Sequence, residues 1–335
     1  MNQTRNKKNI KDINTYLQSR KLIQDFEGIA EQIKDFPVRK VAVAAADDPA
    51  VLSAVAEAVD KNIADYILVG DEQKIRETAD KAGVSINHKA IINAPDDIKA
   101  AAKAVQLVSS GEADIVMKGY IHTDDFLRAV LNKEWGLRFG PTMSHVFIWE
   151  SKSFNRLIFV TDAAMNIAPD LVTKADIIMN AVHLARIFGL EKPRVAVIAA
   201  VEMVNPAMSA TLDATCLAKM CDRHQYSTPC LIDGPLALDN ALSLEAARHK
   251  KIGGPVAGCA DILVVPDIEA GNMLAKSFVY LTGGDMAGVL VGAKAPVVLT
   301  SRSDSARSKL YSIATAVLMS VFERHLRLKI GRVHY

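Results

Sequence analysis

Cysteine is scarce. Only Cys216, Cys221, Cys230 and Cys259 occur in 335 residues, none in a C-x-x-C pair. That excludes a disulfide framework and a zinc knuckle, and points to a reduced, cytoplasmic setting. An excess of one charge is also missing: 40 basic residues face 38 acidic ones, for a net charge of +2. Nothing in that balance attracts nucleic acid or a membrane, and the basic residues lack the interleaved aromatics of a nucleic-acid groove. No apolar run reaches the roughly 18 residues of a membrane span; the best stretch, Leu310 to Phe322, is short and carries serines. A soluble protein is expected. The start, MNQTRNKKNIKDIN, has no apolar segment of a secretory signal, and Asp12 and Asp25 argue against a transit peptide. The eight histidines form no H-E-x-x-H and no paired His/Cys spacing, so no metal is expected. G-x-S-x-G, G-x-G-x-x-G and the Walker pattern are absent as well, which removes a hydrolase elbow, a dinucleotide fingerprint and a P-loop.

What is present is an alternation. Half of the residues are apolar and 23% are charged, enough for a sizeable core in two domains. Residues 1 to about 37 read as a helical preface, with Ile10, Ile13, Tyr16 and Leu17, then Ile23, Phe26, Ile29, Ile33 and Phe36 at helical spacing. Short β-branched runs then alternate with amphipathic segments. Strands are expected at Val41–Ala46, Ile67–Val69, Ile115–Met117, Leu157–Thr161, Val195–Val201, Cys230–Ile232, Ile262–Val265 and Val297–Thr300. Helices are expected between them, including one at Leu242–Lys251 and a long one near Asp304–Arg324. Continuous apolar runs of this length suit a parallel sheet covered on both faces, so the class is α/β. Glycine and proline interrupt the pattern at Gly136–Pro141, a candidate crossing point.

In such sheets ligands bind beyond the carboxyl ends of the strands. Polar residues recur there: Lys118-Gly119, Thr161-Asp162, Asn205-Pro206, Asp233-Gly234-Pro235, Pro266-Asp267 and Ser301-Arg302. Most are ordinary turn residues. Lysine and arginine are not, and they draw attention. At Thr300–Ser305 a buried strand runs into a hydroxyl-rich turn bearing Arg302 and then a helix, an arrangement suited to an anion. The plainer reading is that Ser303 or Asp304 caps the helix while Arg302 pairs with a surface carboxylate. Lys118-Gly119 offers a point charge beside a backbone that a ligand can approach, or else a surface ion pair. LTGGDMAGVLVGA, with Gly283 and Gly284, reads as a flexible, backbone-exposing stretch or a set of tight turns.

The run DILVVPDIEAGNMLAKSFVYLTGGDMAGVLVGAKAPVVLTSRSDSARSK resembles the phosphate acetyltransferase and phosphate butyryltransferase family. So do DGPLALDNAL at Asp233–Leu242 and MKGYIHTDDFL at Met117–Leu127, and the similarity spans about residues 40 to 320. The SRSDS form is more like the butyryl branch. The resemblance implies acyl-CoA + phosphate ⇌ acyl phosphate + CoA, with CoA and phosphate as substrates and no resident cofactor. It implies two α/β/α domains with an interdomain cleft, laid out as in isocitrate and isopropylmalate dehydrogenases, and a homodimer or higher homo-oligomer. The domains are then 1–140 with 302–335, and 141–301. Ser301, Arg302 and Asp304 become the catalytic candidates: Arg302 to grip phosphate, Ser301 and turn N–H groups to steady the oxyanion, Asp304 as base. Lys118, Gly119, Asp233, Gly283, Gly284 and Ser303 are the substrate-binding candidates. The acetyl branch carries an aspartate six residues after the arginine, where this chain has Ser308. Transfer is expected to be direct, without an acyl-enzyme.

Two other readings share the architecture. A metal- and NAD-dependent dehydrogenase of the isopropylmalate or 4-hydroxythreonine-phosphate type would need clustered carboxylates, and no two aspartates lie four apart. A non-catalytic acyl-CoA-binding module would bind without releasing thiol.

Overall fold

A computed structural model describes residues 21–34, 36–87, 90–150, 154–326 and 333–334. Ile10, Ile13, Tyr16 and Leu17 lie outside them. The chain divides into two compact units, Met1–Phe139 with Ala293–His325, and Gly140–Gly292 with Leu326–Tyr335.

The first unit opens on α1 (Phe26–Ile33), started by Asp25, whose carboxylate accepts the Gly28 N–H at 2.8 Å. Phe26, Ile29 and Ile33 form its buried stripe, at the spacing the sequence shows. There follow β1 (Arg39–Ala44), α2 (Pro49–Asp60), β2 (Ala64–Gly70), α3 (Glu72–Ala82), β3 (Ile91–Asn93), α4 (Asp97–Ser109), β4 (Ile115–Lys118) and α5 (Thr123–Val130). Asp48, Asp71 and Asp96 cap α2, α3 and α4 by accepting the N–H of Val51, Lys74 and Lys99. Strands β2 and β3 extend the sheet from one side of β1, and β4 pairs with its other side; every pairing is parallel. The chain therefore reverses its direction of sheet growth between β1 and β4, and α4 packs across β1, β2 and β4.

The second unit contains β5 (Ser144–Glu150), β6 (Ile158–Thr161), α6 (Leu171–Ile187), β7 (Arg194–Ile198), α7 (Ser209–Asp222) and β8 (Leu231–Leu236). It continues with α8 (Leu238–Leu242), α9 (Leu244–His249), β9 (Ile262–Val264), α10 (Ile268–Thr282) and β10 (Asp285–Val291). The strand order is β10-β5-β6-β9-β7-β8. Here the expectation of a wholly parallel sheet fails, because β5 runs antiparallel to both β6 and β10. The glycine-rich stretch is likewise no flexible loop. Ala287 to Val291 are buried, and Gly288 lies opposite Phe147 in the ladder. The single helix expected at Leu242–Lys251 is broken at Ser243, whose hydroxyl accepts the Ala246 N–H and starts α9.

The chain returns to the first unit at Ala293, earlier than the expected 302, because β11 (Val297–Val298) hydrogen-bonds in parallel to β4. The long α11 (Ala306–Leu326) follows. Its Tyr311 stacks on Phe26 with ring centroids 4.4 Å apart, and Phe322 meets Phe36 edge-on. Within the second unit, His334 exchanges two hydrogen bonds with Gln225. No described helix is long and apolar enough to cross a membrane.

Candidate functional site

The reversal between β1 and β4 leaves their carboxyl ends side by side, with β11 on the far side of β4. Loops diverge at such a point and leave room for a ligand. At the β4 exit, Gly119 and Tyr120 donate their N–H groups to the carbonyls of Ala44 and Ala45, at 2.8 and 2.7 Å. A Cβ on Gly119 would collide with those same carbonyl oxygens. Strand-end packing thus accounts for Gly119, and the approach to its Cα is filled by protein.

Lys118 is no surface residue. It ends β4 with only 2% of its area exposed, and its ammonium has no hydrogen bond or ion pair among the described residues. Burial first, then the positive charges of Arg302 and Lys309, lower its pKa from 10.5 to about 8; Asp304 and Asp48 oppose that shift.

The β11 exit supplies the rest. Asp304 accepts the Ser301 N–H at 2.8 Å, the Asp304 N–H reaches the Ser301 carbonyl at 3.2 Å, and the Ser301 and Ser303 hydroxyls are 3.0 Å apart. Buried Lys309 pins the turn from beneath, donating to the carbonyls of Ser301 and Asp304 at 2.9 and 2.8 Å. Neither Ser303 nor Asp304 caps α11. Ser305 does, accepting the Ser308 N–H at 3.1 Å. Ser308, at the position where the acetyl branch has its aspartate, is buried and hydrogen-bonded to the Ser305 hydroxyl, so it is spent on the cap. Of the turn N–H groups expected to face an oxyanion, those of Ser301, Ser303 and Asp304 are already committed within the turn.

Arg302 projects from this turn, exposed, with its guanidinium carbon 5.6 Å from the centre of the Tyr120 ring. Among the described residues no carboxylate pairs with it. The surface ion pair is therefore not formed among the described residues, and the contact with Tyr120 leaves the planar N–H fork open there. Three cations and two carboxylates thus share one strand-end cluster. Lys309 and Tyr120 were not singled out in the sequence. A lysine beside the apolar run from Leu310 was the signal for the first, and the K-G-Y triplet for the second.

The remaining candidates belong to the second unit. Asp233 lies within β8, not beyond it, and accepts the N–H of Gly234 at 2.8 Å. A register irregularity between Ala196 and Ile198 lets the Asp-Gly-Pro segment stay in the sheet. Gly283 closes α10 in the left-handed conformation, φ +66°. Gly284 lies against Trp149, where a Cβ would strike the indole nitrogen. Asp162 and Asp267 fill the plain turn roles, accepting N–H groups of Ala164 and Met165, and of Ala270. Among the described residues no three metal-ligating side chains cluster.

The family described as phosphate acetyl/butaryl transferase matches residues 26–103 and 96–317. The chain belongs to this family. It is 52% identical over 299 residues to the phosphate butyryltransferase of Clostridium acetobutylicum, covering 89% of this chain and 99% of that one. The phosphate butyryltransferase of Clostridium beijerinckii is 50% identical over 297 residues, covering 89% and 98%. Among solved structures, a branched-chain phosphotransacylase from Enterococcus faecalis superposes with a TM-score of 0.74 at 34% identity, covering 84% and 99%. The α/β class and the phosphate acyltransferase activity expected from the sequence are borne out.

Proposed function

We propose that this chain moves a butyryl group between CoA and inorganic phosphate, holding phosphate or acyl phosphate above Lys118 in the fork of Arg302. The supporting observation is the pair of cations at the β4 and β11 exits that pair with no carboxylate among the described residues, one buried and one over the Tyr120 ring. Butyryl is favoured by the names of the relatives at half identity.

In the forward direction a phosphate oxygen attacks the thioester carbonyl. The C–S bond breaks, and CoA leaves as a thiolate that takes up a proton. Arg302 binds two phosphate oxygens and aims the third, converting encounter into oriented attack. The Ser301 hydroxyl, exposed and held only within the turn, donates to the carbonyl oxygen as negative charge develops there. In the reverse direction the CoA thiol loses its proton, and Asp304 is the carboxylate on the turn that can accept it. CoA arrives and leaves as substrate.

Free thiol released from butyryl-CoA, measured with and without phosphate and then repeated with acetyl-CoA, tests the reaction. Release should require phosphate and run faster with butyryl-CoA; thiol release independent of phosphate would reject the transfer. Asp304→Asn separates base from scaffold, because an amide oxygen still accepts the Ser301 N–H. A base role predicts a loss of about tenfold or more in the CoA-consuming direction. Full activity in that variant would assign Asp304 to the turn alone and leave the phosphate site standing.

A further inference from the structure

Away from this cluster, two of the four thiols meet. Cys221 sits in the last turn of α7 and Cys230 immediately precedes β8, elements packed against each other. The chain between them is folded back tightly: the Gln225 N–H returns to Met220 at 3.0 Å, the His224 N–H to Cys221 at 3.0 Å, and His224 adopts φ +56°. The Cys221 thiol donates to the Cys230 carbonyl oxygen at 3.7 Å, which brings the two cysteines side by side.

Their surroundings are unequal. Cys221 is half-buried and Cys230 is buried. The Cys230 thiol, with help from the Ile232 N–H, stabilises a thiolate at Cys221 and brings its pKa to about 7. The neighbouring Cys221 side chain, together with burial, pushes the Cys230 thiol up. An accessible, low-pKa sulfur beside a buried protonated one is the division of labour between an attacking and a resolving thiol.

We propose that Cys221 and Cys230 form a reversible dithiol/disulfide couple that low-molecular-weight disulfides such as glutathione disulfide oxidise. The Cys221 thiolate attacks one sulfur of the small disulfide, whose S–S bond breaks and releases one thiolate. Cys230 then gives up its proton and attacks the Cys221 sulfur. The second small thiolate leaves and takes up that proton. Two protein thiols are oxidised, and one small disulfide is reduced to two thiols. The new bond ties the end of α7 to the start of β8 and closes the turn that carries Gln225.

The test treats the reduced, folded protein with excess glutathione disulfide, alkylates it without reduction, and reads the intact mass and the peptide map. Two of the four thiols should become unreactive with no retained glutathione, the linked peptides should contain residues 221 and 230, and reductant should restore all four. The Cys216→Ser protein should behave like the parent. Cys221→Ser should form no internal bond, and Cys230→Ser should trap glutathione on Cys221. Oxidation should quicken with rising pH and level off above about 7. Four alkylated thiols, a persistent glutathione adduct on the parent protein, or a bond joining other cysteines would each overturn the proposal.

Discussion

Replacing Arg302 by alanine is expected to lower phosphate-dependent turnover about a hundredfold, roughly 2.7 kcal/mol of transition-state stabilisation. The size follows from the lost contacts, since a fork donating to phosphate makes two charge-assisted hydrogen bonds of about 1.5–3 kcal/mol each, part of which water replaces. Folding should hardly change. The guanidinium serves no carboxylate among the described residues, and its stacking on exposed Tyr120 contributes about 0.5–1 kcal/mol at most. The deficit should therefore appear in kcat/KM for phosphate while the melting temperature stays near that of the parent. Arg302→Lys keeps the charge but not the fork, and should fall between the two. An alanine variant with the parent's kcat/KM for phosphate would remove Arg302 from the site.

Much of this was visible in the sequence because local physics decides it. The alternation of short apolar runs with amphipathic segments sufficed for the α/β class, and Asp48, Asp71 and Asp96 each stood one residue ahead of the helices they cap. Arg302 was legible because turn chemistry has no use for a guanidinium. What the sequence hid depends on pairing at a distance. Ser144–Glu150 mixes polar and aromatic residues, and the Asp285–Val291 strand contains a glycine, so neither reads as a buried strand until each is set beside the other. Lys309 was hidden for a related reason. A lysine at the edge of an apolar helix reads as solvated, and only the fold shows its ammonium turned under the Ser301 carbonyl. Gly283 and Gly284 drew attention as a pair, yet one ends a helix and the other makes way for an indole.

Lys118→Met should make the protein more stable and less active at once. In the folded chain the ammonium titrates near 8, against 10.5 for an ordinary lysine, and it is almost wholly buried. That lowering makes the charged form cost about 3 kcal/mol at neutral pH. The sign follows from the unfolded chain holding its proton more tightly. Below about 8 the folded state bears the whole penalty, and as pH rises from 8 towards 10.5 the penalty disappears. A methionine of similar length has no charge to desolvate, so denaturant unfolding should show it roughly 2–3 kcal/mol more stable at neutral pH, with the gap closing in alkali. Turnover should fall about a hundredfold, because phosphate loses a point charge in a low-dielectric pocket. The parent's phosphate affinity should also decline as pH passes 8, since bound dianion draws the proton back onto Lys118, whereas the variant's affinity should stay level. Lys309→Met provides the contrast. That ammonium holds two carbonyls of the turn, so its loss should destabilise by about 2 kcal/mol. A Lys118→Met protein less stable than its parent at neutral pH would mark Lys118 as a structural group. Greater stability without activity would mean that the fold tolerates this buried charge for the anion it receives.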